Sequence, residues 1–172
     1  MARLEIIHVP DPVLRTISDP VEAVDDTVRR LMDDMLETMY AAPGIGLAAI
    51  QVGIPRRIIV IDTEGDDATP RPRFLVNPTI LWESDELNVY NEGCLSVPDH
   101  YAEVERPARV RVGYLGYDGR PVEEEMGGLL ATCVQHEIDH LDGVVFIDHL
   151  SKLKRSMIVK KLLKMSKDAE IL

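Results

Sequence analysis

Leu129-Leu130-Ala131-Thr132-Cys133-Val134-Gln135-His136-Glu137-Ile138-Asp139-His140-Leu141-Asp142-Gly143 is the stretch on which the reading of this chain turns. Glycines 127 and 128 open it and Gly143 stands where a helix takes its C-terminal cap, so a helix is predicted over residues 129–142. On that helix His136 and His140 lie one turn apart on a single face and can share one metal ion. Glu137, rotated about 100° from His136, stands beside the bound ion without having to ligate it and can take a proton from an attacking water. Two imidazoles flanking such a carboxylate point to metal-dependent hydrolysis.

The third ligand decides the kind of site. In the extended metzincin pattern a glycine follows the second histidine by three residues, as Gly143 does, and another histidine stands three further on; that position is Phe146. His149 is too far along, and no glutamate-bearing helix follows before the basic tail. A ligand from upstream is expected instead, and Cys94 offers one. It lies in Glu92-Gly93-Cys94-Leu95-Ser96, a glycine-containing bend after an extended run, from which a thiolate can reach outward. A Cys94, His136, His140 set leaves a fourth coordination position open, as a catalytic site requires. Cys133, one turn before His136, could also face the metal, but three ligands from one short helix would crowd; it is assigned to a pocket wall.

Outward from this helix the chain alternates short elements. Val28, Leu31, Met32, Met35, Leu36, Met39 and Tyr40 recur at helical spacing, predicting an amphipathic helix over 25–42 that Pro43-Gly44 ends. β-branched runs at 57–62, 73–82 and 103–115 read as strands, the last leading through Tyr117-Asp118-Gly119-Arg120 into a hairpin. After a short run at 144–147, a final helix is expected over about 151–167, with Leu153, Met157, Ile158, Leu162 and Met165 on one side. Strands clustered between helices predict a single α+β domain over 1–172, its mostly antiparallel sheets packed around the central metal-binding helix, with helices towards both termini.

With 172 residues, of which 45% are hydrophobic and 28% charged, the chain can bury one sizeable core. Neither a signal sequence nor an apolar run long enough to span a bilayer is read, so a cytoplasmic protein with no membrane partner is expected. In that reducing compartment the two cysteines need a use other than a disulfide. A net charge of −11 argues against general nucleic-acid binding. Residues 151–172 differ: seven lysines and arginines against two acidic residues make this tail +5 and leave −16 for the rest.

Three segments stand together: Gly44-Ile45-Gly46-Leu47-Ala48-Ala49-Ile50-Gln51, Glu92-Gly93-Cys94-Leu95-Ser96, and Gln135-His136-Glu137-Ile138-Asp139-His140-Leu141. In this order and spacing they resemble the signature motifs of the peptide deformylases, enzymes that remove the N-formyl group from nascent bacterial polypeptides. The resemblance runs from Val9-Pro10-Asp11-Pro12-Val13-Leu14-Arg15 to the last helix. It implies that Cys94, His136 and His140 hold one divalent metal, Fe(II) natively, with zinc, nickel or cobalt able to substitute. It also implies that Glu137 is general base and then acid, and that the Gln51 amide and the Leu95 N–H donate to the oxyanion.

Further expectations follow from that resemblance. Gly44, Ile45, Gly46 and Gly93 would let an N-formylmethionyl peptide approach and pair like an added strand. Leu129, Thr132 and Cys133, seven, four and three residues before His136, would wall the methionine pocket, closed by Ile45. Glu92, Asp139 and Arg106 are candidates to steady the histidines, the last two as an ion pair. Tyr101 stands where some relatives carry a basic residue, which leaves the outer groove open. The chain is expected to be a monomer, and the basic C-terminal helix could dock on the ribosome or simply be a solvated face. Competing readings are another metal peptidase or amidase, and a non-catalytic metal-binding or ribosome-associated module.

Overall fold

Asp25 starts the first helix by accepting a hydrogen bond from the Val28 N–H at 2.9 Å, and α1 then spans Asp26–Ala41. Its residues Val28, Met32, Met35 and Met39, spaced by four, three and four, are buried, which puts one stripe into the core. The computed structural model describes residues 2–65 and 68–171, with side chains to residue 167.

Among the described residues seven strands follow: β1 (Gly46–Ala48), β2 (Ile58–Ile61), β3 (Arg73–Glu83), β4 (Leu87–Cys94), β5 (Val97–Pro107), β6 (Arg109–Leu115) and β7 (Pro121–Gly127). A five-stranded sheet has the order β1-β2-β3-β6-β7, and β4 and β5 form a separate hairpin; every ladder is antiparallel. The helix α2 (Gly128–Leu141) packs on one face of the large sheet and α1 on the other. This explains the uninterrupted Ile58-Ile59-Val60-Ile61: Ile58 and Val60 join the cluster under α1, while Ile59 and Ile61 join the one under α2. The fold is α+β, and α2 is its central helix.

Expectations for the run 103–115 and for the last helix need correction. The run 103–115 is not one strand. Pro107, with no N–H to donate, ends β5 at a corner where the Ala108 N–H turns to the Glu86 carbonyl, and β6 then enters the other sheet. The C-terminal helix α3 spans Lys152–Ile171, and its contact stripe differs from the expected one. Leu162 is buried with Ile158 and Val159 packed beside it, whereas Leu153, Met157 and Met165 are about half exposed or more. Counted at 100° per residue, Leu153 and Met157 fall far around the helix from Leu162, so only a narrow line touches the domain. The short run at 144–147 leads into a 3-10 turn, Phe146–His149. No described helix is long and apolar enough to cross a membrane.

Candidate metal centre

The helix α2 presents His136 at 7%, Glu137 at 3% and His140 at 0% exposure. Gly143 ends it at φ 78°, and any side chain there would also meet the Arg15 carbonyl. Cys94 arrives from the opposite side at the end of β4, where a register shift after Gly93 breaks the hairpin ladder and pairs Cys94 with Val97. One ligating atom each from Cys94, His136 and His140 lie within 4.8 Å of one another, and Cys94 Sγ is 3.3 Å from His140 Nε2.

A carboxylate relay stands behind His136. Glu92 Oε1 is 3.0 Å from His136 Nδ1, while Arg106 donates Nε to Glu92 Oε2 at 2.7 Å and Nη2 to Oε1 at 3.0 Å. Arg106 Nη1 donates to Asp139 Oδ2 at 2.9 Å, and His149 Nε2 lies 2.9 Å from the same oxygen. Burial alone would raise the Glu92 pKa, but His136 and Arg106 hold it below the ordinary carboxylate value. An ionised Glu92 accepting from Nδ1–H leaves the Nε2 lone pair of His136 directed at the cluster. Phe146, at the position a metzincin gives to histidine, instead stacks on His136 with ring centroids 6.0 Å apart.

Burial and the neighbouring His136 push the His140 pKa well below its usual value, keeping its lone pair free. Burial opposes charge on His136 too, yet Cys94, Glu92 and Glu137 around it drive its pKa well up. The cluster therefore favours an added positive charge, which a metal cation supplies as well as a proton does. With one sulfur and two imidazole nitrogens from rigid elements, the donor set fits a divalent transition metal.

Glu137 is buried beside these atoms, and desolvation pushes its pKa up to about 7. Its Oε2 has no hydrogen-bond partner among the described residues. It lines a cavity of about 700 Å³. Gly44, Ile45 and Gly46 form one rim of that cavity, Gly93, Leu95 and Tyr101 the facing one, and Leu129, Thr132 and Cys133 its helical wall. A methyl group at Gly46 would come within 2.8 Å of Cys133 Sγ and 2.9 Å of Glu137 Oε1, so the main chain lies directly on the site. The strand β1 is an edge of the large sheet, paired among the described strands with β2 alone; its Ala48 N–H is held by Gln51 Oε1, while Gly46 borders the cavity, where an extended peptide can approach.

Gln51 lies outside the cavity lining, buried in the 3-10 turn Ala49–Val52, with its Nε2 3.5 Å from Cys94 Sγ. Ser96, part of the Cys94 segment, has no role assigned from the sequence, and neither do two residues near the N-terminus. Ser96 accepts from Gln51 Nε2 at 3.0 Å, and Ile6 and His8 reach the cavity from the N-terminal segment. Ser96 and Gln51 are 45 residues apart along the chain, a separation that local patterning does not record.

The comparisons with known proteins agree with this geometry. A family model described as polypeptide deformylase matches residues 3–156. A peptide deformylase of Phenylobacterium zucineum is 61% identical over 98% of this chain and 100% of its own. One of Mesorhizobium japonicum is 62% identical over 95% of this chain and 93% of its own. The crystal structure of peptide deformylase from Ehrlichia chaffeensis superposes with a TM-score of 0.92 at 42% identity, covering 99% of this chain and 100% of that one. A second from that organism, in complex with actinonin, gives 0.90 at 45% identity, covering 96% and 98%. Sequence and backbone thus agree over essentially the whole length, and this chain belongs to the peptide deformylase family.

Proposed function

We propose that the chain removes the N-formyl group from formylmethionyl nascent peptides, releasing formate, with Cys94, His136 and His140 as the metal ligands and Glu137 as the acid–base group. The observation that carries this reading is the buried, unpartnered Oε2 of Glu137, facing the cavity next to a Cys-His-His cluster. A divalent cation held there, natively Fe(II) with zinc, nickel or cobalt able to replace it, supplies Lewis acidity that acidifies water and polarises a carbonyl.

The chain's own groups do the rest. Glu137, with its pKa near neutrality, takes a proton from the attacking water and returns it to the departing amine. As the formyl carbon becomes tetrahedral, negative charge grows on its oxygen. The Gln51 amide and the Leu95 N–H donate to it, each contributing about 3 kcal/mol. The edge of β1 at Gly46 pairs with the peptide backbone, and Ile45, Leu129, Thr132 and Cys133 enclose the methionine side chain.

This reading makes the chain a cytoplasmic monomer, one catalytic domain over residues 1–172. Its exposed α3 lysines and the exposed Leu153 and Met157 favour docking on the ribosome over a merely solvated helix. Equal ribosome co-sedimentation after reversing the charges of Lys160, Lys161 and Lys164 would argue for the solvated helix.

Anaerobic purification with metal analysis, followed by assay of formate release, tests the main reading. A formylmethionyl tripeptide should yield formate while its unformylated counterpart stays intact. Chelation should abolish the activity and Fe(II) restore it. Glu137→Gln should retain metal and lose roughly 10²-fold or more in kcat. Internal peptide-bond cleavage, or near-parental turnover by Glu137→Gln, would overturn it.

A further inference from the structure

The side chain of Gln51 has no rotational freedom left. Its Oε1 accepts the Ala48 N–H at 2.9 Å, and because a backbone N–H only donates, the amide nitrogen must lie on the other side. Nε2 carries two protons in a fixed plane. One goes to Ser96 Oγ at 3.0 Å; the other makes a long hydrogen bond to Cys94 Sγ at 3.5 Å and is the one a stronger acceptor beside that sulfur can take over. Gln51 is 1% exposed and Ser96 0%, so water does not compete for either bond.

The main chain secures the same pair. The Ile7 N–H donates to the Gln51 carbonyl at 2.7 Å and the Val9 N–H to the Ser96 carbonyl at 2.8 Å. Residues 7–9 thus hold the 3-10 turn of Gln51 and the β4–β5 turn of Ser96 at a set separation.

We propose that Ser96 is a positioning residue for deformylation: its hydroxyl accepts one amide proton of Gln51 and thereby aims the other at the oxyanion beside Cys94. The inference rests on the donor role given to Gln51 above. Without the hydroxyl, one Nε2 proton is buried with no acceptor. The amide is then held only through the Ala48 N–H and the long bond to the Cys94 sulfur, and the proton meant for the formyl oxygen loses its fixed direction.

A double-mutant cycle on the metal-loaded enzyme tests this, using Ser96→Ala, Gln51→Ala and both together, with metal content and thermal unfolding measured on each. Loss of a whole oxyanion donor costs 10²- to 10³-fold in kcat, so a misaimed one should cost about 10-fold. Ser96→Ala is therefore expected to lower kcat about 10-fold with KM within about 2-fold, and to change kcat less than about 2-fold in the Gln51→Ala background. If Ser96→Ala does not fold, Ser96→Cys, close in size and a weak acceptor, takes its place in the cycle. Unchanged kcat in the Ser96 variant, or effects that multiply in the double variant, overturns the proposal. An unaffected Gln51→Ala instead refutes the donor role itself, and a parent enzyme that releases no formate refutes the function.

Discussion

Replacing Arg106 by leucine should separate the stability of the buried relay from its service to the metal centre. The guanidinium and the Glu92 carboxylate are 6% and 4% exposed and joined by two hydrogen bonds of 2.7 and 3.0 Å. Arg106→Leu removes the cation and leaves Glu92 buried with only His136 beside it. Breaking such a pair from one side costs about 3–5 kcal/mol. For a chain of this size, 1 kcal/mol moves Tm by roughly 2–4 °C, so the apo protein should melt roughly 6–20 °C lower. Chelated protein is the right sample, because bound metal adds its own stabilisation.

Metal affinity should fall as well, by roughly 10- to 100-fold, since the carboxylate that orients His136 is no longer held. The double variant Glu92→Met/Arg106→Leu sharpens the test. With both charges gone, most of the stability should return. Metal affinity should stay low, because the Nδ1–H of His136 then has no acceptor. Thermal melts combined with metal titration read both quantities. A Tm loss under about 3 °C for Arg106→Leu, near 1 kcal/mol, or a double variant that binds metal like the parent, would refute the reasoning.

Two further outcomes are expected. In Gly46→Ala the new methyl must displace Cys133 Sγ or Glu137 Oε1, so kcat should drop about 10²-fold with metal retained; a fully active variant would contradict the close approach at that strand. Burial raises the Asp148 pKa, but hydrogen bonds from Arg15 and from the Val145 N–H, with the charges of Arg15 and Arg155, outweigh it and hold it below its unfolded value. Its stabilisation is therefore present at neutral pH and lost as pH falls through the folded pKa. With Arg15 half exposed, the ion pair is worth about 1 kcal/mol. Asp148→Asn should accordingly lower Tm by roughly 2–4 °C at pH 7, and the gap should narrow as pH falls below the unfolded carboxylate value; a gap that stays constant on acidification counts against the linkage.

The elements legible in the sequence share a physical trait, that their signal is local. The stripe of Val28, Met32, Met35 and Met39 reports one buried face of α1, and the apolar run 58–61 reports a strand covered on both faces. The corner at Pro107-Ala108 was obscured because β-branched and charged residues alternate alike on both sides of it. The contact stripe of α3 is not legible locally because apolar residues occur almost around that helix, and only the position of the domain selects Ile158 and Leu162 over Leu153 and Met157.

For the centre itself, the amino-acid sequence by itself determined the chemistry on offer: two imidazoles one turn apart, a carboxylate between them, and a cysteine in a glycine bend. A helical repeat and a glycine turn are set by backbone geometry over a few residues, so they survive without the rest of the fold. Tertiary structure alone decided that Cys94 meets His140 across 46 residues of chain. It also decided that Glu137 is dry enough for its pKa to approach 7 and that Ser96 lies against Gln51. Those outcomes depend on which surfaces lose their water when β4, α2 and the Gln51 turn pack together, and desolvation is a property of the assembled interior rather than of any segment.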